Sequence, residues 1–307
     1  MNDFHDNNVD DDNAEKCCLE DLAVSTALQL SLRDKSEEII AHRCEKDSDV
    51  IIGHRNEIKT VPILLCDAGY GLPREGRPRK EKILAIARQL VNFLEWQIRQ
   101  QNNHKMSMAL VKVVACPDES TRISLLERTV ELFSKASDSK TTVELPSHVT
   151  FSCQPLGELI GEMEHKTLLE SSTLSSSVVY LSPDASDVLN PSDSPPDIVV
   201  VGLIIDRRIQ PNKSQQRANA LQISAKRWPL EDCCPLNNEH IDTQEPLNVD
   251  CILEGMQQWW WNCQTNADGV SQHQKGMLTG KERFLQAANQ ALMHHVQRHP
   301  SRPIHKV

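Results

Sequence analysis

Two apolar, β-branched runs end abruptly in polar residues, and the groups at those ends are placed to do chemistry. VVYL (178–181) gives way to Ser182, Pro183 and Asp184, and DIVVVGLIID (197–206) gives way to Arg207 and Arg208. In an open α/β sheet, ligands sit just beyond the carboxyl ends of the strands. Asp206 therefore stands where a carboxylate can take a proton as a general base. The same carboxylate can instead cap a helix or pair with Arg207 or Arg208. Gly202, inside the second run, lets a ligand or a neighbouring strand come close to the backbone.

Three further clusters carry chemical potential. REGRPRKEK (74–82) holds five basic and two acidic residues and reads as a Pro/Gly loop leading into a helix. Arg74, Arg77, Arg79, Lys80 and Lys82 are candidate phosphate contacts, and a solvated loop is the alternative. Trp259, Trp260 and Trp261 cannot all share one helix face, so at least one is expected at the surface or an interface. Base stacking competes there with a helix that covers the sheet. His294, His295 and His299 lie at helical spacing, but no carboxylate or cysteine partner is evident in the sequence, so no metal is expected.

Composition narrows the class. The chain has 307 residues, 39% of them hydrophobic, enough for one large domain or two small ones. No apolar run approaches the roughly 20 residues of a membrane span, so no membrane partner is expected. The acidic start MNDFHDNNVDDDNAE is neither a signal peptide nor a transit peptide. Ten cysteines without a CxxC argue against a zinc ribbon and a small disulfide scaffold. Reduced thiols in the cytoplasm or nucleus are the expectation. The net charge of −10 is awkward for a nucleic-acid partner. Eight acidic residues and one lysine fall within residues 1–21, however, and without them the charge is about −3. A local basic patch is compatible with that.

The elements that must position these groups alternate along the chain. Residues 1–18 read as disordered, 19–45 as an amphipathic helix and 46–60 as a linker. Strands are expected at 61–67, 108–116, 148–153, 177–182 and 197–206, with a short one in AKRWPL. Helices are expected at 81–101, 124–136, 156–164, 214–222 and 249–263, and 282–299 reads as one more. Apolar strands alternating with helices imply an α/β fold, a parallel sheet with helices on both faces. The division is an acidic tail with one helix at 1–50, an α/β domain at 51–265, and a polar C-terminal tail at 266–307. A monomer is expected.

YLSPDA, then VGLIIDRR, then KRWPL, then EPLNVDCILEG, in that order, resemble the family that methylates N1 of the purine at position 9 of tRNA. That family belongs to the SPOUT superfamily of knotted methyltransferases. The resemblance implies a trefoil-knotted domain, S-adenosylmethionine as cofactor and tRNA as partner. It makes Asp206 the base that takes the N1 proton of guanine. It places backbone-mediated cofactor contacts at Leu181, at Gly202, at Asp206, Arg207, Arg208, Ile209 and Gln210, at Ser214, at Trp228, and at Glu245, Pro246 and Leu247. Trp228 stands where the family has leucine, and its ring can pack on adenine or in the core. The chain departs from the pattern at Leu203, Arg208 and Pro211, which keeps open a knotted relative that binds cofactor or RNA without catalysis. EDLAVSTALQLSLRD is similar to a ubiquitin-interacting motif, through Glu20, Asp21, Val24, Ala27, Ser31 and Asp34. It implies ubiquitin as a further partner for residues 20–34 and an adaptor as a third reading.

Overall fold

The computed structural model describes residues 61–73, 75–136, 144–170, 177–204, 211–229, 247–264 and 278–298. The chain divides between Lys59 and Thr60, and every described residue belongs to the second unit. The N-terminal helix, with its ubiquitin-like pattern at 20–34, lies outside the described residues.

Six short strands form one sheet. They are β1 (Ile63–Asp67), β2 (Leu110–Val114), β3 (Val149–Phe151), β4 (Val178–Leu181), β5 (Ile198–Gly202) and β6 (Ala225–Lys226). Their order is β3-β2-β1-β5-β4-β6 and every pairing is parallel. The described helices are α1 (Gly76–His104), α2 (Glu119–Ala136), α3 (Leu156–Glu170), α4 (Lys213–Ala220), α5 (Val249–Gln264) and α6 (Gly280–Arg298).

The strands are apolar throughout because both faces are covered. Leu64, Cys66, Val111, Val113, Val179, Leu181, Val199 and Val201 join a core with α1, α2, α5 and α6. The alternate residues Leu65, Tyr180, Ile198 and Val200 join a smaller core with Leu156, Leu159 and Ile160 of α3 and Ala218 of α4. The period-2 geometry of a strand separates these two sets. The expected parallel α/β sheet with helices on both faces is the observed one. The knot implied by the resemblance depends on the path after β5 and after β6, where residues 205–210 and 230–246 lie outside the described ones.

Two expectations change. First, α1 starts at Gly76 and not near residue 81, so the basic run forms its first turns and is not a loop. Pro78 sits where a proline needs no helical N–H partner, and Gly76 takes the positive φ of 82° that the entry requires. Second, α6 is part of the core and not a polar tail. Phe284, Ala287 and Ala288 are fully buried, and Phe284 meets Trp259 edge-on at 4.8 Å. The Trp trio follows the reading of a helix that covers the sheet: Trp259 and Trp260 are buried and Trp261 packs partly against the same core. Trp260 donates its indole N–H to the Pro196 carbonyl at 2.8 Å. The trio covers the sheet, and only Trp261 keeps an outward part.

Candidate functional site

The sheet order sets the place. From β1 the chain builds outward through β2 and β3 on one side. The later strands β4, β5 and β6 occupy the other side. The order reverses between β1 and β5, and crevices for ligands form beyond the carboxyl ends at such a switch point. Asp67, the last residue of β1, lies in register with Gly202, the last residue of β5.

The strand that was expected to end at Asp206 runs from Ile198 to Gly202, and Asp206 lies outside the described residues. The carboxylate that closes a strand among the described residues is therefore Asp67, which sequence reasoning passed over. VPILLCD ends in Asp just as the second run does, so the same signal was present.

Asp67 is fully buried and surrounded by donors. Oδ1 accepts Gly69 N–H at 2.8 Å and Arg217 Nη2 at 3.3 Å. Oδ2 accepts Arg217 Nε at 2.9 Å and the Tyr180 hydroxyl at 3.0 Å. Since Tyr180 donates to Asp67, its oxygen accepts from the hydroxyl of Tyr70. A Cβ at Gly69 would stand 2.2 Å from Arg217 Nη2, so a larger residue there displaces the end of that side chain.

The electrostatics fix the protonation of this network. Burial is the main force raising both phenols above the ordinary tyrosine range, and the Asp67 charge adds to it. The hydrogen bond to Asp67 raises the guanidinium of Arg217 further. Both tyrosines therefore act as donors and not as bases at neutral pH. With four donors around it, the Asp67 carboxylate orients the groups that meet there.

The expected cofactor residues divide into two sets. Leu181, Gly202, Ser214, Trp228 and Leu247 are described. Asp206, Arg207, Arg208, Ile209, Gln210, Glu245 and Pro246 lie outside the described residues. Leu181 and Gly202 end neighbouring strands, with Leu181 paired to Val201. Ser214, in the first turn of α4, meets Ser182, just after β4, through a 2.7 Å hydroxyl–hydroxyl bond. Asn212 N–H donates to Asp184 Oδ2 at 2.8 Å, which ties the entry of α4 to the same turn. The structure thus brings Leu181, Gly202 and Ser214 to one edge of the sheet.

Two of these positions differ from expectation in what surrounds them. The space that Gly202 leaves open is filled by Tyr70, whose Cε2 would lie 2.8 Å from an added Cβ. Gly202 thus admits a side chain of the β1–α1 turn on that face. Trp228 is buried, with its ring 5.0 Å from that of Phe284 and close over Gly255. Of its two readings, core packing holds. Its indole N–H lacks a partner, but so do those of Trp96 and Trp259 deep in the core, so it marks no ligand.

The basic run lies at the same edge. Arg77 pairs with Glu81 at 2.7 Å on the surface. Arg79 is engaged with α2, donating to Thr121 Oγ1 at 2.7 Å and lying 3.7 Å from Asp118. Lys80 is exposed and Lys82 half-buried, and Arg74 lies outside the described residues. Arg77, Arg79 and Lys80 line, with Glu81, Glu127, Arg128 and Glu131, a groove of about 840 Å³ that carries charges of both signs. Among the described residues no group of three or more His, Cys, Asp or Glu is arranged to hold a metal. His294 pairs with Glu254 at 2.6 Å.

No family model matches the chain, and no curated protein matches it. Among solved structures it is similar to spTrm10(74), with 15% identity, 71% of this chain, 96% of that chain and a TM-score of 0.43. It is similar to full-length spTrm10 in complex with SAH, with 14% identity over 78% of this chain and 99% of the other and a TM-score of 0.43. It is also similar to a dual-specific Trm10 from Thermococcus kodakaraensis, with 13% identity over 74% and 99% and a TM-score of 0.41.

Proposed function

We propose that this chain is a SPOUT-type methyltransferase that moves the methyl group of S-adenosylmethionine to N1 of the purine, a guanine, at position 9 of tRNA. The observation that carries the reading is the convergence of Leu181, Gly202 and Ser214 at the carboxyl edge of adjacent parallel strands. The four ordered motifs assign a cofactor contact to each of these residues. The described residues fit a ligand held by backbone groups. The strand ends present main chain at this edge, and the α3–α4 side of Gly202 is closed by Tyr70. S-adenosylmethionine, when bound, supplies an electrophilic methyl group.

The rest is the task of the chain. Guanine N1 carries a proton at neutral pH and must lose it to act as a nucleophile. The raised phenols of Tyr70 and Tyr180 are protonated at neutral pH and do not take it. The resemblance assigns that role to Asp206, as a general base. Holding N1 in line with the methyl group accounts for much of the remaining acceleration.

Incubation of the purified protein with labelled S-adenosylmethionine and unmodified total tRNA tests the reading. Label at N1 of purine 9 is the expected result, and label elsewhere or none overturns it. A knotted relative without catalysis is the second reading. It is favoured by the ring of Tyr70 over Gly202 and by the departures at Leu203, Arg208 and Pro211. Calorimetric binding of S-adenosylmethionine with no transfer in the same assay would select it.

A further inference from the structure

Two cysteines stand side by side just beyond the carboxyl ends of β2 and β3, and the Asp67 network uses neither. Val111 pairs with Val149 and Val113 with Phe151. Continued unchanged, that register sets Ala115, and not Cys116, opposite Cys153. The backbone departs from it at Ala115, whose φ of 56° is uncommon for a residue with a Cβ. Ala115 N–H turns to the Gln154 carbonyl at 3.0 Å, and Cys116 N–H takes the Ser152 carbonyl at 3.2 Å. In this parallel ladder an N–H bonds the carbonyl just before its partner, as Val111 N–H bonds His148 while paired with Val149. By the same rule Cys116 is the partner of Cys153. Ala115 is the extra residue of a bulge that moves the ladder on by one.

Both thiols are free, and both side chains pack on the same core. Cys116 is buried in it, and Cys153 packs against it from the rim. The first turn of α2 stands beside both. Cys153 Sγ donates to Glu119 Oε2 at 3.5 Å, and the guanidinium of Arg122, paired with Glu119, acts on both thiols. Neighbouring strands run about 4.8 Å apart, inside the Cα separation of about 4.4–6.8 Å that a disulfide spans. A left-handed backbone at a residue other than glycine is held only where the surroundings demand it, and here it is what sets the two cysteines opposite each other. We propose that Cys116 and Cys153 are a redox-modification site, a dithiol that small disulfides of the glutathione class oxidise reversibly to a bond tying β2 to β3.

Cys153, the more exposed of the two, attacks first. Its thiolate bonds to one sulfur of the small disulfide, and the other sulfur leaves as a thiolate. The Cys116 thiolate then attacks Cys153 Sγ, the Sγ–Sγ bond forms, and the second small thiolate leaves. The two protein thiol protons end on the two small thiols, so two protein thiols are oxidised as one small disulfide is reduced. Burial pushes the Cys116 thiol up to about 12, so little thiolate forms at neutral pH and closure is slow. The reduced pair also lacks the thiolate stabilisation that makes some disulfides strong oxidants, so the closed bond resists reduction. β3 is a three-residue strand at one edge of the sheet, and the bond fastens an element held by few ladder hydrogen bonds.

The test incubates the full folded chain with oxidised glutathione, alkylates the remaining thiols and maps the peptides without reduction. The expected product is a peptide pair joined through Cys116 and Cys153, released again by excess dithiol. Tm is expected to rise on the order of 5 °C on oxidation and to return on reduction. Cys153→Ser and Cys116→Ala should each abolish the link and the rise. If Cys116→Ala does not fold, Cys153→Ser, at a partly exposed position, carries the control. Glutathione captured on Cys153 with no bond to Cys116 overturns the proposal, as does no reaction at either thiol. So does a link from either residue to another cysteine of the chain in place of this one. A link that forms only in urea, or that leaves Tm unchanged or lower, overturns it too, because the folded strands are then not set for the bond. A rise in Tm that persists in Cys153→Ser comes from elsewhere and has the same force. None of these readouts depends on methyl transfer.

Discussion

Asp67 and Arg217 lie 150 residues apart in sequence and meet side-on at the sheet's switch point, with Nε 2.9 Å from Oδ2. The carboxylate is sealed from water while about a third of the guanidinium side chain, 31%, remains exposed. Coulomb attraction is stronger in that setting than at a surface, and so is the cost of leaving the carboxylate alone.

Removing only the cation shows that cost. Arg217→Met leaves a buried carboxylate with the donors Gly69 and Tyr180 but no counter-charge. The expected loss is about 3 kcal/mol, the low end for breaking a buried pair, because water already reaches part of Arg217. Arg217→Met combined with Asp67→Asn should recover most of it. Urea unfolding measures both, and equal losses in the single and double variants would show that the two residues are not coupled.

Gly202 and Tyr70 form the second contact of this edge. Gly202→Ala puts a methyl group 2.8 Å from Cε2 of Tyr70, so the ring must move and its hydroxyl leaves Tyr180. A destabilisation of about 1–3 kcal/mol is expected, as for overpacking elsewhere. Tyr70→Ala in the same chain should remove the clash and make Gly202→Ala nearly neutral. Additive losses in a double-mutant cycle would contradict the contact.

The sheet was legible because its signal is local. Runs such as VPILLCD and VVYL are apolar on both alternations, and that pattern needs no partner to be read. The start of α1 was not legible, because Glu75 makes no side-chain cap and a glycine with positive φ opens the helix. The place of α6 was hidden for a different reason. It buries Ala287, Ala288 and Ala291 beside Phe284, and small residues carry little hydropathy even when they let helices approach closely. The Asp67 network joins residues separated by 110, 113 and 150 positions. No spacing within one sequence reports such a contact. Of the twelve expected cofactor positions three, Leu181, Gly202 and Ser214, meet at one edge, and two of them are strand ends that the sequence marks.

Phe284 checks that α6 belongs to the core. Its ring lies between Trp228 and Trp259, at 5.0 and 4.8 Å. Phe284→Ala opens a cavity between two large, fixed rings that have little freedom to collapse. The expected cost is about 3–5 kcal/mol. A helix in a polar tail would show almost no change, and chemical denaturation distinguishes the two.

His148 predicts a pH dependence. It precedes β3 and places Nε2 3.1 Å from Gln97 Oε1, and burial lowers its pKa below the ordinary 6.5. At pH above about 6.5 the imidazole is neutral in both the folded and unfolded chains, and its contribution to stability is fully present. Below that, the unfolded chain gains a proton that the folded one resists, so stability falls as the pH drops towards the lowered folded value. His148→Gln should flatten this part of the curve of Tm against pH. An unchanged slope between pH 6.5 and 5 would remove His148 as its cause.

Asp206→Asn addresses the proposed chemistry. The substitution keeps the shape of the side chain and removes its capacity to take a proton. If guanine N1 must be deprotonated for transfer, the rate should fall by about 10²-fold or more, the usual scale for a general base. The deficit should shrink as the pH rises, because solvent then accepts the proton more readily. A tRNA with adenine at position 9 supplies the control, since adenine N1 carries no proton to remove. If adenine is methylated at all, the variant should be nearly as active on it as the wild type. Equal rates of wild type and variant on the guanine substrate at neutral pH would leave Asp206 without a proton to carry.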